Sequence, residues 1–288
     1  MRIWLMAARL RTLPAAVAPV LVGTALAVTD DEFRLGAFVA ALLGAIFIQV
    51  GTNLSNDYSD ARRGADTEDR LGPVRVTAGG LVPPSRVLVA TYVSFGLAAL
   101  CGVYLIAVAG WVILAIGAAS ILAGVLYTGG PRPYGYEGLG EVFVFLFFGV
   151  VAVTGSYYAQ VEELTWEAVG LSVPVGLLAA AILVVNNVRD IATDTRAGKR
   201  TLAVRLGRNR ARSLYAAMIY GAFLALIPLA VAGSPWWLLP WILAPAGVRL
   251  VGTVRRHADG PTLNATLART GVLQLAFCVL LAAGIVIG

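Results

Sequence analysis

The chain has 288 residues, of which 59% are hydrophobic and 13% charged, where soluble domains carry roughly 25% charged residues; its mean hydropathy is +0.81. That balance excludes an ordinary soluble enzyme and points to an all-α integral membrane protein. The formal net charge of +6 follows from an uneven distribution of Arg and Lys between loops, which suits an anionic lipid surface and is no sign of nucleic-acid binding.

Apolar runs long enough to cross a bilayer at about 20 residues each fall near 13–28, 35–55, 86–108, 110–128, 139–158, 167–188, 213–232, 236–252 and 265–287. Nine transmembrane helices are therefore predicted within a single domain over 1–288, with cytoplasmic loops at 57–85, 128–138, 189–212 and 253–264. The loops set the orientation, because short cytoplasmic loops collect Lys and Arg. Of the 22 basic residues, 21 lie on the side of Arg2, Arg9 and Arg11, and only Arg34 lies opposite, among Asp30, Asp31, Glu32, Glu162, Glu163 and Glu167. The expectation is a multi-pass cell-membrane protein with its N-terminus cytoplasmic and its C-terminus outside. Cys101 and Cys278 sit singly in apolar segments and read as small buried hydrophobes, and His257 is the only histidine, so no Cys/His metal set is available.

The second apolar run continues into Asn53-Leu-Ser-Asn-Asp-Tyr-Ser-Asp60. If the helix continues, Asn53, Asn56, Asp57 and Asp60 fall at i, i+3, i+4 and i+7, placing two amides and two carboxylates on one face. A long segment rich in Gly and Pro follows, with Asp66, Arg70 and Arg75, and reads as a lid. The fourth run ends at Tyr127, before a loop dense in Tyr, Pro and Gly that carries Arg132. The sixth run repeats the first pattern. It ends in Asn186-Asn-Val-Arg-Asp-Ile-Ala-Thr-Asp194, with Asn187, Asp190 and Asp194 at i, i+3 and i+7, and Lys199 shortly after. Asp57 to Asp190 spans 133 residues and Asp60 to Asp194 spans 134, so two related helical units are suggested, each ending in an Asn/Asp face on the same side.

Carboxylates at the edge of hydrocarbon are costly and repel one another if they meet across a bundle. A hard divalent cation between them resolves the conflict, and Mg²⁺ takes oxygen ligands from one or two carboxylates while phosphate and water fill the rest. Arg62, Arg63, Arg132, Lys199 and Arg200 in the same loops supply charge for a phosphate. The physical reading is an enzyme or carrier that handles a lipid-linked diphosphate at the cytoplasmic face.

At these residues the chain resembles the UbiA-type intramembrane prenyltransferases, and more narrowly the branch that prenylates 1,4-dihydroxy-2-naphthoate in menaquinone biosynthesis. The matching stretches are Asn53 to Asp60 with Gly64-Ala-Asp-Thr, Arg70-Leu-Gly-Pro-Val-Arg75, Arg132-Pro-Tyr-Gly-Tyr-Glu-Gly-Leu-Gly, and Asn186 to Asp194 with Gly198-Lys-Arg-Thr-Leu. The resemblance implies nine helices around a central cavity with a cytoplasmic cap, and Mg²⁺ as cofactor. It implies Asn56, Asp57, Asp60, Asp190 and Asp194 as metal ligands and Asn53, Asn56, Tyr127, Arg132, Asn187 and Lys199 as diphosphate-binding groups. Asp57, Asp60, Asp66, Asp190 and Asp194 are the implied catalytic carboxylates. Two departures stand out. Gly64 occupies the place where the superfamily often has a third carboxylate, with Asp66 two residues on, and the Tyr-x-x-x-Lys element that the superfamily often has after the fourth span lacks its lysine after Tyr127, so Arg132 is read as the substitute cation.

The implied reaction moves a polyprenyl group from a polyprenyl diphosphate to 1,4-dihydroxy-2-naphthoate with decarboxylation, giving demethylmenaquinone. The implied partners are those two substrates and the lipid bilayer. Other acceptors (4-hydroxybenzoate, a chlorophyllide or haem) and a membrane transporter remain as alternatives.

Overall fold

The computed structural model describes residues 2–65 and 71–288, and its regular elements are all helices. Asp66 and its neighbours through Arg70 lie outside the described residues. In chain order the helices are α1 Arg2–Ala8, α2 Leu13–Thr29, α3 Leu35–Arg62, α4 Pro84–Ala109, α5 Val112–Leu126, α6 Gly140–Phe145, α7 Ala152–Val161, α8 Trp166–Arg196, α9 Leu202–Leu206, α10 Arg208–Ala232, α11 Ala244–Arg256 and α12 Gly260–Ile287. A π-helical turn, Leu146–Val151, joins α6 to α7, and a 3-10 stretch, Pro235–Leu243, leads into α11.

Each of the nine apolar segments contributes helix, but they are not equal. Among the described residues eight helical segments are long and apolar enough to cross a membrane, while α5 has only 15 residues. At 1.5 Å per residue it is about 22 Å long, short of the roughly 30 Å of a hydrocarbon core. Gly110, at a φ of +79°, ends α4 and turns the chain directly into α5. The crowded prolines near 228–245 leave their mark as well: Pro235 and Pro240 lie in 3-10 geometry and not in a continuous α-helix.

The deepest helix is α8, with 72% of its apolar window buried. Its small and branched side chains, among them Leu171, Val175, Leu178, Ala181 and Val185, form one core with residues of α2, α10 and α12 such as Val22, Ile219, Phe277 and Leu281. A close helix approach lies where the π turn meets α8. A Cβ on Gly149 would stand 2.4 Å from the Gly176 Cα, so only hydrogen at both positions lets the backbones meet. By contrast α4 turns an apolar stripe outward, with Val89, Tyr92, Val93, Leu100 and Val103 exposed at helical spacing. Such a surface has lipid for its solvent.

Two helices extend past their apolar runs, and this positions the site. α3 remains helical to Arg62 and α8 to Arg196, so the Asn/Asp clusters are carried on regular helix that projects from the bundle end. The loop from Leu71 to Pro83 folds back over the end of α3, and Val76 and Val82 are buried there against Leu54 and Val87.

Candidate active site

A cavity of about 380 Å³ lies between the ends of α3 and α8 and continues along the bundle. Its wall on α3 includes Ala41, Gly44, Ala45, Ile48, Gln49, Thr52, Asn53, Asn56 and Asp60. These follow the helical repeat along a single face over a rise of about 28 Å. The chemistry changes along that length. Asn56, Asp60, Asn186, Asn187, Asp190, Asp194 and Lys199 line one end, whereas Ala41, Gly102, Leu105, Ile113, Gly117 and Ala159 line the other. One polar end and one long apolar arm suit an amphiphile with a charged head.

Asp60 is the centre of the polar end. It is 1% exposed, and its Oδ2 accepts from Arg75 NH2 at 2.9 Å and lies 3.5 Å from Lys199 Nζ. Its Oδ1 accepts from the Tyr136 hydroxyl at 2.5 Å. The Lys199 ammonium also sits 4.7 Å from the centre of the Tyr136 ring, a cation–π distance. Three loops thereby converge on one carboxylate, and the backbone supports them: Lys199 N–H donates to Asp194 O at 2.8 Å, and Arg200 N–H to Tyr136 O at 2.9 Å.

Asp57 has a different place. Also 1% exposed, it stands behind the cavity wall, where Oδ2 accepts from Val76 N–H at 3.0 Å and Oδ1 from Thr77 N–H at 2.9 Å. Both carboxylate oxygens thus fasten the loop whose preceding residue, Arg75, reaches Asp60. Asn53 lines the cavity while its Nδ2 donates to Ala8 O and Thr12 Oγ1, both at 3.0 Å. Asn56 lines the cavity with its Oδ1 accepting from Thr128 at 2.8 Å.

On α8, Asp190 is gripped by its neighbour. Arg189, 2% exposed, donates Nε to Asp190 Oδ1 at 2.8 Å and NH2 to Oδ2 at 2.5 Å, and also reaches Asn186 Oδ1 at 2.9 Å. Its NH1 donates to Asn264 Oδ1 at 2.5 Å, and Asn264 Nδ2 in turn holds Leu71 O at 2.8 Å. The second acidic face is therefore tied through α12 to the loop that covers the first. Asp194 is half-buried on the wall.

Tyr127 lines the wall near these groups, its ring edge-on to Tyr134 with 5.5 Å between ring centres. Arg132 is exposed on its loop and lies off the wall, whereas among the described residues Arg75, Arg189 and Lys199 stand beside the acids. Sequence reasoning picked Lys199 but gave no site role to Arg75, Tyr136 or Arg189. The signal was present, since Arg75 and Tyr136 lie in the matching stretches and Arg189 stands between Asn187 and Asp190.

The lining donors at the polar end are oxygens of carboxylates and amides, which suits a hard divalent cation. Among the described residues no three His, Cys, Asp or Glu side chains cluster tightly enough to hold a metal by themselves. A cation here would complete its shell with amide, water and phosphate oxygens, as Mg²⁺ does.

Comparison with known proteins fits this geometry. The UbiA prenyltransferase family profile matches residues 16–268. A Mycobacterium tuberculosis protein named 1,4-dihydroxy-2-naphthoate octaprenyltransferase is 41% identical over 285 residues, covering 99% of this chain and 97% of its own. An Escherichia coli protein of the same name is 40% identical over 277 residues, covering 93% of this chain and 89% of its own. The structure of a UbiA homolog from Archaeoglobus fulgidus bound to GPP and Mg2+ superposes with a TM-score of 0.70 at 15% identity, covering 99% of both chains. With a full-length sequence match and a shared helical bundle, this chain belongs to the UbiA prenyltransferase family.

Proposed function

We propose that the chain transfers a polyprenyl group from a polyprenyl diphosphate to 1,4-dihydroxy-2-naphthoate, with loss of carbon dioxide, in the biosynthesis of menaquinone. The observation that carries this reading is the continuity of the cavity, whose polar end joins both acidic helix faces to fixed cations and whose apolar arm extends it, so that the two together follow α3 for about 28 Å. The names of the full-length relatives supply the acceptor. In the membrane the chain makes nine crossings, counting short α5, with the N-terminus cytoplasmic, the C-terminus outside and the Leu71–Pro83 loop as part of a cytoplasmic cap.

Asp60, Asp190 and Asp194, with the amides of Asn56 and Asn187, would hold Mg²⁺. When bound, Mg²⁺ supplies positive charge to the oxygens of the leaving diphosphate. Lys199 and Arg75 stand beside Asp60 and offer the same diphosphate charge-assisted hydrogen bonds. Tyr136 holds Asp60 in place and shields one side of Lys199. The allylic carbon–oxygen bond breaks with its electron pair going to diphosphate, and the apolar wall keeps water from the allylic cation. The ring carbon that bears the carboxylate attacks the cation. Loss of that carboxylate as carbon dioxide returns the electron pair to the ring, giving the quinol that oxidation converts to demethylmenaquinone.

Asp57 serves as a brace in this reading. Its carboxylate fastens Val76 and Thr77 and so sets the reach of Arg75. Asp66 stays in the proposal as a further carboxylate, and Arg132 as an outer cation.

The test is an acceptor panel. Membranes containing the protein, labelled prenyl diphosphate and Mg²⁺ should give labelled product with 1,4-dihydroxy-2-naphthoate, and chelation with EDTA should stop it. Label in 4-hydroxybenzoate but not in naphthoate would overturn the acceptor assignment.

A further inference from the structure

Glu141 belongs to neither acidic motif, yet it is 3% exposed at the start of α6 and touches the second motif from behind. Its Oε1 accepts a hydrogen bond from Asn187 Nδ2 at 2.9 Å, and its Oε2 is buried without a hydrogen-bond partner. The close seat of α6 makes this reach possible. A Cβ on Gly140 would stand 3.1 Å from Leu183 Cδ2 and 3.3 Å from Tyr127 Cε2, so the first turn of α6 lies tight against α8. Burying a carboxyl group here is costly unless it does something that an apolar residue could not.

What it does follows from donor and acceptor chemistry. An amide has one donor end and one acceptor end, and Oε1 is an acceptor in either protonation state when any proton resides on the unpartnered Oε2. Asn187 must turn its amino group toward Glu141. Its carbonyl oxygen is then the end left to the cavity that Asn187 lines.

We propose that Glu141 is a positioning residue that locks the Asn187 amide with its carbonyl oxygen facing the diphosphate end of the cavity. Asn187 thereby becomes an oxygen ligand for the cation and not a donor to the diphosphate. The proposal rests on the reading of that end as a Mg²⁺–diphosphate site, and it explains why a buried acid outside both acidic motifs is paired with an amide of the second. Metal sites depend on such outer partners, whose loss typically weakens metal binding about 10–100-fold.

The experiment uses the purified full chain and titration calorimetry with geranyl diphosphate at varied Mg²⁺. Glu141→Leu should raise the Mg²⁺ concentration for half-maximal binding by about tenfold, Asn187→Leu should do the same, and the double variant should be no worse than Asn187→Leu. Such a lack of additivity is the mark of one residue acting through the other. Glu141→Gln, whose amide oxygen can still accept, should stay within about twofold of wild type. Additive losses, or an unmoved midpoint in Glu141→Leu, would overturn the proposal. If Glu141→Leu cannot be recovered folded, the exchanged pair Glu141→Gln with Asn187→Asp decides, because it rebuilds the bond with donor and acceptor reversed. The pair should improve on Asn187→Asp alone, and no improvement counts against the proposal. A wild-type chain that binds no geranyl diphosphate would instead sink the functional reading itself.

Discussion

Asp190→Ala and Asp60→Ala each lower prenyl transfer by about a thousandfold, the scale of losing a preorganised charge-stabilising group, while the protein is still recovered from the membrane fraction. The two losses have different physical origins. Removing Asp190 leaves the buried Arg189 with Asn186 and Asn264 as remaining partners. Removing Asp60 strips the shared partner of Arg75 and Lys199, and breaking a buried pair in this way commonly costs about 3–5 kcal/mol. Asp60→Asn separates folding from function, because its amide oxygen still accepts from Arg75 or Tyr136. It should restore thermal stability in detergent without restoring turnover. Asp57→Ala should also be inactive, but by releasing the loop at Val76 and Thr77. Limited proteolysis in that loop should rise in Asp57→Ala and not in Asp190→Ala. Full turnover in Asp190→Ala would contradict the metal–diphosphate reading.

The second large effect concerns chain length. Gly117 lines the apolar arm, and a Cβ built there meets nothing within 4 Å. It lies ten residues before Tyr127 on α5, so it sits about 15 Å from the polar end. Gly117→Phe should place a ring across the arm. Transfer from geranyl diphosphate should remain within a few-fold of wild type, while transfer from an octaprenyl donor should fall by about a hundredfold or more, the discrimination a filled pocket gives. Product masses from a mixture of donors of graded length measure this directly. An unchanged octaprenyl product would mean that the tail leaves the cavity by another route, between helices and into lipid.

Much of this was legible in the sequence for a physical reason. A carboxylate-bearing face directly after an apolar run is expensive, so Asp57, Asp60, Asp190 and Asp194 declared themselves, and the helical extension of α3 and α8 kept their predicted spacing. Hydropathy also marked where every long helix lies. It marked the segment of α5 as well, but not that the helix itself would be only 15 residues long. Two kinds of information were hidden. Periodicity assigns a residue to a face without saying which neighbour meets it, so Asp57 shares the α3 face with Asp60 but gives both its oxygens to the covering loop, and Asn53 lines the cavity with its amino group held by Ala8 and Thr12. Contacts between distant segments are invisible as well: Arg75 comes from a loop, Tyr136 from another, and Glu141 from a helix start 46 residues before its partner Asn187. Arg132 was favoured for being the nearest cation in the chain after Tyr127, and the fold leaves it exposed while Arg75 and Lys199 hold the acid.

The most direct measurement of the account follows the acceptor's own carboxyl group. With 1,4-dihydroxy-2-naphthoate labelled at that carboxyl carbon and an unlabelled prenyl diphosphate, the protein should release one labelled carbon dioxide for each diphosphate and each prenylated naphthoquinol formed. Diphosphate release with the label still in the prenylated product, or with no prenylated product, would contradict it.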